Sequence, residues 1–515
     1  MAILKRASAG KRASVGEKAL ALFAGGLVPL SFAPYNLVIF SFIGVGIFAW
    51  LILQQTSKKS RFLTALCFGF GLFAIGVSWV YVSIHVYGQA PVILAVLMTF
   101  IFVLFLAFLF ALPWLILSWI PPKPLDQILG FAAIWFTVEW IRGWIFTGFP
   151  WLYLGQGHLG SPLSGWLPII GSVGVGFLQA AICATLVLSI KSGIENRLGG
   201  RRISAVLVAA STVALCILVL SPLLNRIEWT TDLNPVQVTL VQPNIPLEDK
   251  WNADLRDTNL QILLDLSEDS WDSDILVWPE AALPLATLST RNTSELLAQL
   301  TDYLGPESSL ITGRLVYDSI NRRYHNNVIA LGDGNGEYSK RRLVPFGEYV
   351  PLENQLRGLI EFFDLPMSVI SSGEADQEHL NSGDLNIAVA LCYEIAYGNQ
   401  VARDSREANM IVTVSNDTWF GDSIGPHQHF QIAQIRARET GKPVLRGTNN
   451  GITGVIDSRG QATATSEQFV ATSLTTQAIP TDGMTPFARW GQAPMLILTL
   501  LTLIMVLVPA RKGHL

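Results

Sequence analysis

The residues of this chain that could act together are a cysteine, a glutamate and a lysine, all in its second half. Of four cysteines, Cys67, Cys183 and Cys216 lie inside apolar stretches, whereas Cys392, in Leu391-Cys392-Tyr393-Glu394, does not. Cys392 therefore has no evident intrachain disulfide partner. It is either a small buried hydrophobe on a core strand or a nucleophile. Glu280 follows Trp278-Pro279, where the proline ends a strand ladder, so it is either a general base at the sheet rim or a solvated loop acid. Lys340 begins the run Lys340-Arg341-Arg342, a pattern that usually marks a solvated face. Taken together, the three residues make one chemical site. A thiol with an ordinary pKa of about 8.5 is mostly protonated at neutral pH. A carboxylate can take its proton during attack, and an ammonium can stabilise the resulting oxyanion.

Other candidates are weaker. His325, His379, His427 and His429 are not adjacent to Cys392 in sequence. His427 and His429 point about 200° apart on a helix, so no shared metal is expected, nor any other cofactor. Asn449-Asn450-Gly451 reads as a turn. Arg436 and Glu439 read as a structural helical pair.

The elements that must position these residues divide the chain in two. Half of the residues are hydrophobic and only 14% are charged, the profile of a polytopic membrane protein with one polar domain. A net charge of −4 with no long basic run predicts no nucleic-acid partner. Apolar runs near 19–34, 37–54, 62–84, 91–119, 128–147, 166–190, 203–222 and 491–509 predict eight transmembrane helices. Lysines and arginines fall before the first run and in every second connection, and they follow the last run. Connections 35–36, 85–90 and 148–165 have none. Both termini are therefore expected in the cytoplasm and residues 223–490 outside it. The domain reading is a membrane domain over 1–222, an extracytoplasmic domain over 223–490, and the eighth helix with its tail over 491–515.

Within 235–480, β-branched runs alternate with amphipathic segments, which predicts a layered α/β domain. Strands are expected at 236–241, 274–278, 310–316, 328–331, 387–391, 410–414, 443–447 and 452–457. Helices are expected at 254–266, 294–304, 398–406 and 427–440. Glu139 and Arg142 share one face of the fifth run, as a structural ion pair or a headgroup or proton site. Phe362, Phe363, Leu365 and Met367, together with Trp419-Phe420, form either an apolar lid directed at the bilayer or a buried loop.

Trp278-Pro279-Glu280, Lys340 and Leu391-Cys392-Tyr393-Glu394 resemble the Glu, Lys and Cys motifs of the nitrilase, or carbon–nitrogen hydrolase, superfamily. Longer stretches resemble one branch of it, the apolipoprotein N-acyltransferase family: 78–83 (SWVYVS), 343–351 (LVPFGEYVP), 415–422 (SNDTWFGD) and 448–451 (TNNG). The resemblance implies a four-layer αββα sandwich among eight membrane helices. It also implies Glu280 as base, Lys340 as oxyanion stabiliser and Cys392 as nucleophile, with Trp251, Glu348, Tyr393 and Glu394 supporting or binding substrate. The implied reaction moves an sn-1 acyl chain from a phospholipid, typically phosphatidylethanolamine, through a thioester to the α-amine of a diacylglyceryl-modified apolipoprotein. The implied location is the bacterial inner membrane with the catalytic domain in the periplasm, and a monomer is expected. A membrane-tethered amidase using water, or a transporter or receptor with an external sensing domain, are the alternatives.

Overall fold

The computed structural model describes residues 13–199, 204–283, 290–318, 323–349 and 370–508. The chain forms two compact units. One comprises Met1–Tyr81, Pro91–Ile227 and Gln492–Leu515, the other Val82–Ala90 and Glu228–Gly491.

In the first unit each of the eight apolar runs overlaps one long helix, among the described residues. These are α1 (Val15–Leu27), α2 (Ile39–Gln54), α3 (Lys58–Gly76), α4 (Val92–Ala111), α5 (Pro124–Arg142), α6 (Leu167–Gly199), α7 (Ala205–Leu224) and α12 (Ala493–Leu507). Among the described residues, four helical segments, 58–76, 92–119, 164–196 and 205–224, are long and apolar enough to cross a membrane. Gly25 and Gly71 let α1 and α3 touch: a Cβ on Gly25 would lie 1.9 Å from the Phe68 carbonyl oxygen.

Two expected boundaries move. α3 stops at Gly76 rather than near 84, and residues 82–90 join the second unit. α5 starts on Pro124 and stops at Arg142 rather than 147, because Gly143 follows and Phe146 is left-handed. Glu139 and Arg142 are buried and turn onto the loop beyond α5. Arg142 Nη1 donates to the Trp151 carbonyl at 2.5 Å, and the Leu154 N–H donates to Glu139 Oε1 at 2.8 Å. Their contacts are those of a structural clamp.

Among the described residues the second unit contains two large sheets and a two-stranded antiparallel ribbon of Thr230–Asp232 with Thr481–Gly483. Its elements are β1 (Val236–Gln242), α8 (Arg256–Ser267), β2 (Ile275–Val277), α9 (Thr290–Tyr303), β3 (Ser309–Asp318), β4 (Arg323–Gly332), β5 (Gly334–Asn335), β6 (Glu337–Ser339), β7 (Leu380–Ser382), β8 (Leu385–Val389), α10 (Gly398–Asp404), β9 (Met410–Ser415), α11 (Ile424–Thr440), β10 (Val444–Thr448), β11 (Gly454–Ile456), β12 (Ala462–Thr465) and β13 (Thr472–Ala478). The six-stranded sheet runs β13-β1-β2-β3-β4-β6, and the seven-stranded sheet β12-β11-β10-β9-β8-β7-β5. β1-β2-β3 and β8-β9-β10 are parallel, and the remaining pairings are antiparallel.

Strand alternation explains the layering. In β2, Ile275 and Val277 join Met410, Val412 and Leu445 of the other sheet in one core, while Leu276 faces the helices with Leu263 and Leu300. Full burial of such side chains contributes roughly 1.5–3 kcal/mol each. The strands and helices expected in 236–457 are present. β12 and β13, mostly polar and half exposed, gave no strand signal.

Glycine at one point sets how closely two segments approach. The stretch 278–283 runs beside β3, with the Trp278 N–H on the Ile311 carbonyl and the Leu283 N–H on the Gly313 carbonyl. A Cβ on Gly313 would lie 2.5 Å from Ala281 N and 2.8 Å from Glu280 Cα, both backbone atoms that cannot yield as a side chain would. Gly313→Ala is expected to cost about 1–3 kcal/mol, read as a lower thermal midpoint of the detergent-purified protein. An unchanged midpoint would show that strand and turn are free to separate.

Candidate active site

Glu280, Lys340 and Cys392 come from three different strand ends and meet. Glu280 follows β2, Cys392 follows β8, and Asn416 follows β9, all at the carboxyl ends of parallel strands where open α/β sheets leave a crevice. Lys340 follows the edge strand β6. Alternation places it on the same side as Tyr338, a residue of the core between the sheets.

The Lys340 ammonium is 1% exposed, so its charge must be met by protein groups. It donates to Glu348 Oε1 at 2.8 Å and to Glu280 Oε1 at 3.3 Å. Asn326, in β4, donates to Glu280 Oε1 at 2.7 Å, and the Asn416 N–H to Glu280 Oε2 at 2.9 Å. The Val344 N–H fixes Glu348 Oε2 at 2.8 Å. A second buried lysine, Lys250, donates to the Glu280 carbonyl oxygen at 2.7 Å.

These contacts set the protonation states. Burial alone would lower Lys340, but Glu280 and Glu348 outweigh it and hold the ammonium above the ordinary lysine range. Burial would raise Glu280, yet Lys340, Lys250 and the Asn326 and Asn416 donors hold it below the usual carboxylate range. Burial raises Glu348 despite Lys340. Burial brings Lys250 down to about 8, against the pull of Glu280 and Cys392. Burial, then Glu280, push the Cys392 thiol well above its ordinary range, with Lys340 opposing. The resting arrangement is a neutral thiol beside an ionised base and an ammonium. Such surroundings do not favour a standing thiolate on Cys392.

The supporting residues differ in what they touch. Glu394, 0% exposed, accepts from the Arg341 and Arg342 N–H groups at 2.9 and 3.0 Å, from Tyr338 Oη at 2.8 Å and from the Leu391 N–H at 3.0 Å. It ties the lysine segment to the cysteine turn. Tyr393 packs edge-on to Tyr397, with ring centroids 5.3 Å apart. Trp251, directly after Lys250, is partly exposed. Glu348 pairs with Lys340, and Arg342 instead lies over the Tyr397 ring.

Of the lid candidates, Phe362, Phe363, Leu365 and Met367 lie outside the described residues. Trp419 and Phe420 are half-buried. Ser83 Oγ donates to the Trp419 carbonyl at 2.8 Å, and the Tyr87 ring lies 6.3 Å from that of Trp419. Arg436 and Glu439 form a buried pair at 2.6 Å. Asn449 is buried and donates to the Ile245 carbonyl at 2.8 Å, a structural role beyond a turn.

Lys250 and Asn326 are residues that the sequence reading missed, and His429 it weighed only as a metal ligand or a sequence neighbour of Cys392. Asn326-Asn327 in mid-strand was a signal, since asparagine is disfavoured there. Lys250 offered none. His429 reaches Cys392 at its carbonyl oxygen, 3.1 Å from Nε2.

Two outcomes are expected from this electrostatic arrangement. Lys340→Met leaves two carboxylates buried together and should lower stability by about 3–5 kcal/mol, whereas a midpoint equal to wild type would mean the carboxylates reach solvent. Because the thiol is raised, its thiolate fraction should climb about tenfold per pH unit through pH 7–9. Site-resolved iodoacetamide labelling of Cys392 should follow that rise, and a plateau below pH 7 would contradict a neutral resting thiol.

Sequence comparison places both units. The apolipoprotein N-acyltransferase N-terminal domain matches residues 24–185, and carbon-nitrogen hydrolase matches 237–486. The chain is 38% identical over 503 residues to an apolipoprotein N-acyltransferase of Pseudomonas syringae pv. tomato, covering 96% of each. It is 39% identical over 498 residues to that of Azotobacter vinelandii, covering 94% of this chain and 93% of the relative. With the Photobacterium profundum protein it shares 37% over 517 residues, 97% of each. At this identity over nearly the full length, the chain belongs to the apolipoprotein N-acyltransferase family.

Proposed function

We propose that this protein transfers an acyl chain from a phospholipid to the α-amino group of a diacylglyceryl-modified apolipoprotein, through a thioester on Cys392. The observation that carries the reading is the buried Glu280–Lys340 pair, at 3.3 Å, whose charges both act on the Cys392 thiol. In the first step Glu280 takes the thiol proton as sulfur attacks the sn-1 ester carbonyl. Lys340 stabilises the tetrahedral oxyanion, the C–O bond breaks, and the proton passes from Glu280 to the departing lysophospholipid alkoxide. In the second step the acceptor amine attacks the thioester carbonyl, Glu280 accepts a proton from nitrogen, the C–S bond breaks to leave the amide, and Glu280 returns the proton to the departing sulfur to regenerate the thiol. Glu348 orients Lys340 throughout, and the Tyr393 N–H serves as a second oxyanion donor.

Phosphatidylethanolamine is the proposed donor, and the working form is a monomer. The charge pattern supports eight membrane spans, cytoplasmic termini and a periplasmic catalytic unit in an inner membrane. Trp251, Tyr393 and Glu394 belong to the supporting set. The segment containing Phe362, Phe363, Leu365 and Met367, with Trp419 and Phe420, is proposed to face the lipid.

Incubation with phospholipid should add one acyl mass to the intact protein, an adduct that hydroxylamine removes and that Cys392→Ala lacks. A lipopeptide carrying a diacylglyceryl cysteine should discharge it to an amide. Adduct formation or full transfer by Cys392→Ala would sink the proposal, and fatty acid released to water regardless of amine would point to the hydrolase alternative. Glu280→Gln is expected to slow adduct formation by about 100-fold or more.

A further inference from the structure

Cys392 is a non-glycine residue with φ of +51°. An L-residue is disfavoured in that region, so surrounding contacts must impose it. On the amino-terminal side the Leu391 N–H is held by Glu394. On the other side the Cys392 carbonyl oxygen lies 3.1 Å from Nε2 of His429, on α11. A carbonyl only accepts, so Nε2 must be the protonated nitrogen in either charge state of the ring.

The imidazole is itself fixed. His429 is 1% exposed, and its Nδ1 lies 3.0 Å from both Asp417 Oδ1 and Arg446 Nη2. Arg446 Nη2 also donates to Asp417 Oδ2 at 2.6 Å, and neither side chain is exposed. Burial and Arg446 lower the imidazole pKa while Asp417 opposes them. Asp417 itself is held at about 2, because Arg446 and His429 outweigh its burial. Gly451 makes room for this carboxylate, since a Cβ there would lie 2.4 Å from Asp417 Oδ2. The Phe420 ring packs edge-on to the imidazole, with ring centroids 5.8 Å apart.

We propose that His429 is a positioning residue for the thiol step: its Nε2–H anchors the Cys392 carbonyl and so holds the nucleophile in its left-handed conformation, with Asp417 and Arg446 fixing the ring. This rests on Cys392 being the nucleophile, as proposed above. The structure distributes the work between two anchors, since Lys250 holds the Glu280 carbonyl as His429 holds that of Cys392. Ala281, next to Glu280, is likewise left-handed at φ of +47°.

The test compares His429→Leu, which has no donor, with His429→Gln, whose amide can donate, in the full-length detergent-purified protein. Acyl-Cys392 formation is measured by intact mass over a range of phosphatidylethanolamine concentrations in mixed micelles, alongside the thermal midpoint. For Leu the maximal acylation rate should fall by about 30–100-fold, the loss expected of a misplaced reacting group, with the half-saturating lipid concentration within about twofold of wild type. Gln should recover most of that rate. Should His429→Leu fail to accumulate, His429→Met serves as the donor-free variant. Equal rates in the donor-free variant and wild type, or equal losses with and without a donor, would overturn the inference. A Cys392→Ala control separates the two readings. An adduct that persists in it defeats the thioester proposal, whereas one that needs Cys392 but ignores His429 defeats only this inference.

Discussion

A single buried ammonium organises the site. Lys340 cannot sit at 1% exposure unless carboxylates surround it, and Glu280 and Glu348 could not be buried side by side without it. Each charge is the condition for the others. Lys250, donating to the Glu280 carbonyl, adds a second positive group to a cluster otherwise holding two carboxylates and one ammonium. Loss of one partner is therefore costly out of proportion to any single bond.

The same cluster decides how the cysteine can react. A thiol beside two carboxylates and under little solvent stays protonated, and Lys340 alone does not reverse that. Glu280 stays ionised because donors converge on both of its oxygens. In the proposed reaction, proton transfer therefore falls at the moment of bond formation. A neutral thiol is also less open to oxidation than a standing thiolate.

Geometry for this comes from the sandwich. Two sets of parallel strands end on one side of a shared apolar core, so the turns after β2, β8, β9 and β10 converge although they lie far apart in sequence. Three backbone devices then aim the groups. Gly313 lets β3 pass against the Glu280 turn, Glu394 ties the Lys340 segment to the cysteine turn, and Cys392 itself is left-handed. Residues 82–90 join this unit through Ser83 and Tyr87 on Trp419, an attachment that leaves no trace in hydropathy.

Sequence alone determined what depends on periodicity and residue type. Apolar runs gave eight helices, and alternating β-branched runs located most strands. The Glu, Lys and Cys motifs marked the candidate site, because a thiol, a carboxylate and a cation are recognisable as types. Helix ends at Gly76 and Arg142, and the polar strands β12 and β13, were not legible, since no apolar period marks them. Only the tertiary structure made Asn326 a donor to Glu280, Lys250 a tether for its carbonyl, and His429 an anchor for Cys392. Those bonds join segments 46, 30 and 37 residues apart, and a side chain's partner at such separation is set by how sheets and helices pack.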